Sequence, residues 1–286
     1  MKRFLQDFIL TSLIALCFIL PVEWMGTKMT NETTYKRDYI RQHAEGIKTL
    51  LMGHSQFEAS FNPHVLGDSV FMLSQMGREL YYDVEMARRC VPTMPNLKAL
   101  VYPIYIGNMA AGGKNLGRGM EYAKLWGIYC RNFPLNLASR SMLLSGSFSL
   151  NFFRTSVGCD SLGYFCIEDR WDGLRDGEHA TSHPRKVVDD YMLQLTELAR
   201  ICHKHNVRFV AVACPLTNMY LSSCTAELYD EMARVVAGVQ SQYPIEFHDY
   251  TRDPDFRENT LYYDVNHLNH FGATLFAQRV KEDFGL

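Results

Sequence analysis

A chain of 286 residues, 47% of them apolar, is long enough for one large α/β domain with an ample core. Its 29 basic and 31 acidic side chains nearly cancel, and no long basic run is present. That argues against nucleic acid as a partner, because phosphate binding needs a concentrated positive face.

The first predicted element differs in kind from the rest. After Met1-Lys2-Arg3, residues Phe8 to Val22 form an uncharged apolar core, followed by Glu23 and Trp24. Counted from Phe4 to Met25, the stretch can cross a hydrocarbon layer of roughly 30 Å. Lys2 and Arg3 place their end in the cytoplasm, and Trp24 suits the far interface. A cleaved signal peptide is the competing reading, since the uncharged core is short. No small-x-small cleavage site follows, so residues 1–26 are expected to be an uncleaved anchor in the inner membrane with an exported body. Leu16 immediately before Cys17 argues against a lipid-modified cysteine.

Residues 27–46 read as a polar linker and a short helix from Tyr35 to His43. The α/β body is expected over 47–286. Ile47 to Met52 is a short apolar run bounded by turn signals, as a buried parallel strand should be. It leads into Gly53-His54-Ser55, a Gly-x-Ser turn. Any helix after Ser55 is brief or begins at Pro63, a residue suited to a first helical turn. Ser69 to Leu73 is a second strand, followed by Gly77, and Arg78 to Arg89 has helical spacing. Ala99 to Ile106, rich in β-branched and aromatic residues, is a third strand ending at Gly107-Asn108.

Residues 110–184 are the least regular. Helical patches are expected at Met120–Cys130 and Leu137–Phe152, and the stretch reads as an insertion over the active edge. Cys159 and Cys166 flank a Gly-bearing loop and could close a local disulfide in an oxidising compartment. Cys90, Cys130, Cys202 and Cys214 sit in apolar settings, where cysteine packs as a small core residue. Regularity returns with Arg185 to His205, an amphipathic helix carrying Val188, Tyr191, Leu195 and Leu198 on one face. A strand from Val207 to Cys214, a helix over Thr225–Tyr243 and a strand from Ile245 to Tyr250 follow. Asn269 is a suitable N-cap for a last helix over His270–Phe284. Strands alternating with helices predict a three-layer α/β/α sandwich around a mostly parallel five-stranded sheet.

In such a sheet, chemistry collects beyond the carboxyl ends of the strands. Ser55 belongs to that edge, and so does Asp264-Val265-Asn266-His267-Leu268-Asn269. A serine hydroxyl is a poor nucleophile until a base takes its proton. His267 can be that base, and Asp264 can fix its tautomer and stabilise the imidazolium. Taken singly, Asp264 is an Asx turn and His267 a surface histidine beside a helix cap. Asp264, His267 and His270 could also be read as a metal set, but they lack the i, i+4 histidine pair of a helical site. No metal or cofactor is expected. His179 and His183 read as solvated residues. The aromatic residues, among them Tyr81, Tyr82, Tyr102, Tyr105, Trp126, Trp171, Tyr262 and Tyr263, are mostly core, with a few rings free to stack on sugars.

Gly53-His54-Ser55, Gly77 after the second strand, and the Asp264–Asn269 block with Gly272 together resemble the SGNH (GDSL-like) hydrolase superfamily. The similarity is greatest to its membrane-anchored branch associated with acyl modification of surface polysaccharides. The resemblance implies Ser55 as nucleophile, His267 as base, Asp264 as its orienting partner, and an oxyanion hole from the backbone N–H groups of Ser55 and Gly77. An Asn side chain would complete that hole; Asn108 is the candidate, without the family's flanking pattern. Gly-His-Ser-Gln stands where the family has Gly-Asp-Ser-Leu, so His54 replaces an acid.

The function implied is an exported serine esterase or O-acyltransferase, acting on acetyl-type esters of a cell-envelope glycan through an acyl-Ser55 intermediate. A membrane-bound acyltransferase is a possible partner. The alternative from another class is a non-catalytic glycan-binding or scaffold protein of an envelope assembly.

Overall fold

The computed structural model describes residues 1–26, 31–105, 116–131, 140–141, 157–173 and 185–286. Two compact units are present: Met1–Arg37 with Gly113–Val157, and Asp38–Gly112 with Gly158–Leu286. The stretch 110–184, expected as one insertion, is shared between these two units. Its first part groups with the N-terminal segment, and residues 158–173 belong to the α/β unit. Apart from Arg140 and Ser141, the expected helix at Leu137–Phe152 lies outside the described residues, as do His179 and His183.

In the first unit, α1 (Lys2–Gly26) contains a stretch from Lys2 to Met25 that is long and apolar enough to cross a membrane, and none of that stretch is buried. Its side chains Phe4, Phe8, Leu10, Phe18 and Leu20 are exposed, as lipid-facing residues would be. Near its far end, Glu23 pairs with Lys124 at 2.5 Å and accepts a hydrogen bond from Ser141 Oγ at 2.5 Å. Lys124 lies on a helix over Leu116–Trp126. In the same unit, Thr33 donates to Glu121 at 2.9 Å.

The second unit is built on β1 (Thr49–Leu51), β2 (Val70–Met72), β3 (Ala99–Pro103), β4 (Arg208–Ala213) and β5 (Glu246–Asp249). All four pairings are parallel and the order is β2-β1-β3-β4-β5. Central strands are buried on both faces, which is why they read as unbroken apolar runs. With right-handed crossovers in this order, the β1–β2 connection lies on one face, and after the chain doubles back past β1 the three later connections lie on the other. One face carries Leu80–Cys90, Arg185–Lys204 and Ala226–Gln240, with Arg185–Lys204 packed between the other two. The other carries Ser55–Ser60 packed on His270–Phe284. We number these helices α3 (Ser55–Ser60), α4 (Leu80–Cys90), α6 (Arg185–Lys204), α8 (Ala226–Gln240) and α9 (His270–Phe284), with α2 at Glu32–His43, α5 at Leu116–Trp126 and α7 at Asn218–Ser223.

The predicted face of α6 is the buried one: Val188, Tyr191, Leu195 and Leu198 all lie in the core, each contributing about 1.5–3 kcal/mol. At the outer margin of the sheet, Met72 N–H donates to Leu162 O at 2.8 Å. Cys159 and Cys166 form no disulfide; Cys166 Sγ lies 3.4 Å from His270 Nδ1 instead. Burial pushes the Cys90 and Cys202 thiols up to about 12, consistent with inert core residues.

Candidate active site

β1 ends at Leu51, and the chain turns through Met52-Gly53-His54 so that Ser55 opens α3 at the carboxyl edge of the sheet. Gly53 has φ +144°, a conformation that side chains disfavour. A Cβ there would stand 2.5 Å from Pro103 Cδ and 2.6 Å from its Cγ. The turn therefore needs glycine twice over, for its backbone and for its contact with β3. Gly53→Ala is expected to cost about 1–3 kcal/mol of strain, read as a lowered thermal midpoint. A melting curve matching wild type would refute this reading of the turn.

The residues before α9 form a tight loop, closed by an isolated bridge between Tyr262 and Leu268 and by Tyr263 N–H donating to His267 O at 2.9 Å. Asn269 anchors it. Its Oδ1 accepts from Phe271 N–H and Gly272 N–H, capping α9, while its Nδ2 donates to Thr260 O at 2.8 Å and Tyr262 O at 3.1 Å. Gly272 permits the approach, since a Cβ would lie 2.3 Å from Leu261 O.

These two elements bring Ser55, His267 and Asp264 together. His267 Nε2 is 3.2 Å from Ser55 Oγ, and its Nδ1 is 2.9 Å from both Asp264 carboxylate oxygens. A carboxylate only accepts, so Nδ1 carries the ring proton and the Nε2 lone pair faces the hydroxyl. Asp264 Oδ1 also accepts from the backbone N–H groups of Asn266 at 3.0 Å and His267 at 2.8 Å. Burial alone would raise this carboxyl. The hydrogen bond and charge of His267, with those two N–H groups, outweigh it and hold Asp264 below its ordinary range. A depressed carboxyl contributes stability that is present above its unfolded-state value and is lost as the pH falls through the folded one.

Gly77 lies in the turn after β2, exposed, with φ +69°. That turn is tied to the Gly53 turn, where Gln75 N–H donates to Gly53 O at 3.0 Å. Asn108 lies outside the described residues. His54 is half-buried beside Tyr105, ring centroids 5.5 Å apart. Burial, then the charges of His267 and Arg78, lowers its imidazole to about 3, so it is neutral at working pH. His270 is directed at Tyr164 and Cys166, and among the described residues no group of three His, Cys, Asp or Glu is arranged to hold a metal ion.

Two features escaped the sequence reading. Arg78, read only as a helix start, is buried, and its guanidinium donates to Leu73 O and, at 3.4 Å, to Gly53 O. Its Nε stands 2.6 Å from Asp83 Oδ1 as an ion contact rather than a linear hydrogen bond, and Tyr102 OH donates to Asp83 Oδ2 at 3.0 Å. The cluster fastens the ends of β1 and β2. The second feature is a cavity of about 430 Å³ whose walls include Trp171, Asn218, Arg257, Glu258 and Thr260. Thr217, next to Asn218, donates to Val265 O at 2.6 Å, which joins this wall to the His267 loop.

Neither a protein-family model nor a curated protein matches the chain. Among solved structures, the chain is similar to a GDSL-like lipase from Bacteroides thetaiotaomicron, at 11% identity and TM-score 0.46, covering 89% of this chain and 98% of that one. It is also similar to a lipase/acylhydrolase from Enterococcus faecalis, at 11% identity and TM-score 0.41, covering 84% and 96% respectively.

Proposed function

We propose that this chain is a serine esterase or O-acyltransferase of SGNH type, working through an acyl-Ser55 intermediate. The observation that carries the reading is the continuous path from Asp264 through His267 to Ser55 Oγ, formed by segments about two hundred positions apart. His267 Nε2 takes the Ser55 proton as Oγ bonds to the ester carbonyl carbon. The tetrahedral oxyanion is held by the N–H groups of Ser55 and Gly77. His267 then returns the proton to the departing alkoxide as the ester C–O bond breaks, leaving the acyl group on Ser55. Attack by water gives an esterase and attack by a sugar hydroxyl a transferase: the attacking oxygen hands its proton to His267, the acyl C–Oγ bond breaks, and His267 returns that proton to Ser55 Oγ.

The substrate in this proposal is an acetylated cell-envelope glycan, reached from a membrane anchor and supplied with acyl groups through a membrane-bound partner. The cavity beside Trp171, with an indole among hydrogen-bonding side chains, supports a polyhydroxylated ligand. Acetate release from acylated envelope polysaccharides, run beside p-nitrophenyl acetate, tests the function. Turnover of neither class defeats it.

Retention of the anchor is supported by Glu23, which pairs with Lys124 and Ser141 inside one unit. N-terminal sequencing of the membrane-extracted protein is expected to begin at or beside Met1. A mature chain starting near residue 26 overturns the anchor.

A further inference from the structure

The loop bearing Asp264 and His267 has a buried backbone, with Val265 fully buried and Asn266 1% exposed. Buried carbonyl groups need donors. Val265 O takes the Thr217 hydroxyl, and Asn266 O takes Gln56 Nε2–H at 3.3 Å. Asn266 Nδ2 in turn donates to Tyr105 OH at 2.8 Å. Three segments, following β1, β3 and β4, therefore grip the two residues immediately before His267. Only one of them, α3, also carries Ser55.

We propose that Gln56 is a positioning residue, whose amide N–H locks the base-bearing loop to the nucleophile's own helix and thereby sets the Ser55–His267 separation. The inference rests on the serine-nucleophile reading. Gln56 is itself buried, and its Oε1 has no hydrogen-bond partner among the described residues. An orphaned buried oxygen costs stability, so an apolar side chain like its neighbours Phe57 and Ala59 would serve packing better. The amide is explained by what its other end holds.

Farther along, α3 and the following turn are joined to the α9 side independently. Leu268 N–H donates to Ser60 Oγ at 3.2 Å, and Asn62 Nδ2 donates to Thr274 Oγ1 at 2.9 Å. Those bonds keep the packing without Gln56. Thr217 and Tyr105 still hold the turn that aims the imidazole, so what the removal of Gln56 loosens is the tie between that turn and the nucleophile's helix, where a displacement of about 1 Å costs roughly 10²-fold in rate.

The test uses full-length, detergent-solubilised protein, with p-nitrophenyl acetate turnover, fluorophosphonate labelling rate and thermal midpoint measured together. Gln56→Met is expected to lower kcat and the labelling rate by about 10- to 100-fold, with KM within about twofold and the midpoint little changed. Gln56→Glu can donate to Asn266 O only while protonated, in surroundings that include His54, Arg78, Asp264 and His267. Relative to wild type at the same pH, it is expected to recover rate near about pH 6 and lose it by about pH 9.

Wild-type kcat in Gln56→Met, or a loss no larger than the loss of folded protein, overturns the proposal. If Gln56→Met does not fold, the pH response of Gln56→Glu decides alone, and its absence is a refutation. Wild-type protein that neither labels nor turns over ester defeats the underlying reading before any variant is compared.

Discussion

Ser55→Ala is expected to abolish covalent labelling by a fluorophosphonate and to lower ester turnover by about 10⁴- to 10⁶-fold. The size follows from how the three groups depend on one another. The hydroxyl at 3.2 Å from His267 Nε2 has no use for a base once its oxygen is gone, and the base has no proton to take. His267→Ala should therefore cost about as much, and the double variant little more than either single one. Some turnover should survive in all three, because the oxyanion donors and binding contacts persist. Equal labelling of Ser55→Ala and wild type would remove Ser55 as the nucleophile. A double variant whose losses multiply would show that the two residues do not act as a unit.

The largest expected effect on stability is at Arg78. Both Arg78 and Asp83 are buried, and removing one partner strands the other charge in a medium that solvates it poorly. Arg78→Leu is expected to cost about 3–5 kcal/mol, measured as a shift in denaturant midpoint at constant slope. Arg78→Leu combined with Asp83→Leu should be much milder, because a paired buried charge replaced by apolar side chains is often close to neutral. A single variant within about 1 kcal/mol of wild type would show that the guanidinium is not holding the strand ends.

Much of the fold was legible because its elements obey simple periodicities. The buried stripe of α6 and both boundaries of α9 follow from spacing and from Asn269 as a cap. The Asp264–His267 pair was legible for a local reason, since the two residues stand three positions apart in one tight loop. What the sequence hides are bonds between distant positions that break a composition rule. Charged residues such as Arg78 and Asp83 are seldom fully buried unless paired, and only the tertiary structure reveals this buried pair. Gln56 reaches a carbonyl 210 positions away, and no local pattern encodes that contact. α7 was missed because six residues give too few turns for a helical period, though Thr217 as its N-cap was a usable signal.

The contact between Met72 and Leu162 has a consequence for how this protein meets others. An outermost strand with bare amides is a template on which a foreign chain can add itself, the route to templated self-association and to recruitment by strand extension. Here that strand is only three residues long, and its outward amide is already occupied by the chain's own loop. At the opposite border β5 carries Glu246, paired with Arg208, so charge guards that flank. At the β2 border, association is then left to side chains and loop surfaces, so specificity there rests on sequence rather than on generic backbone pairing.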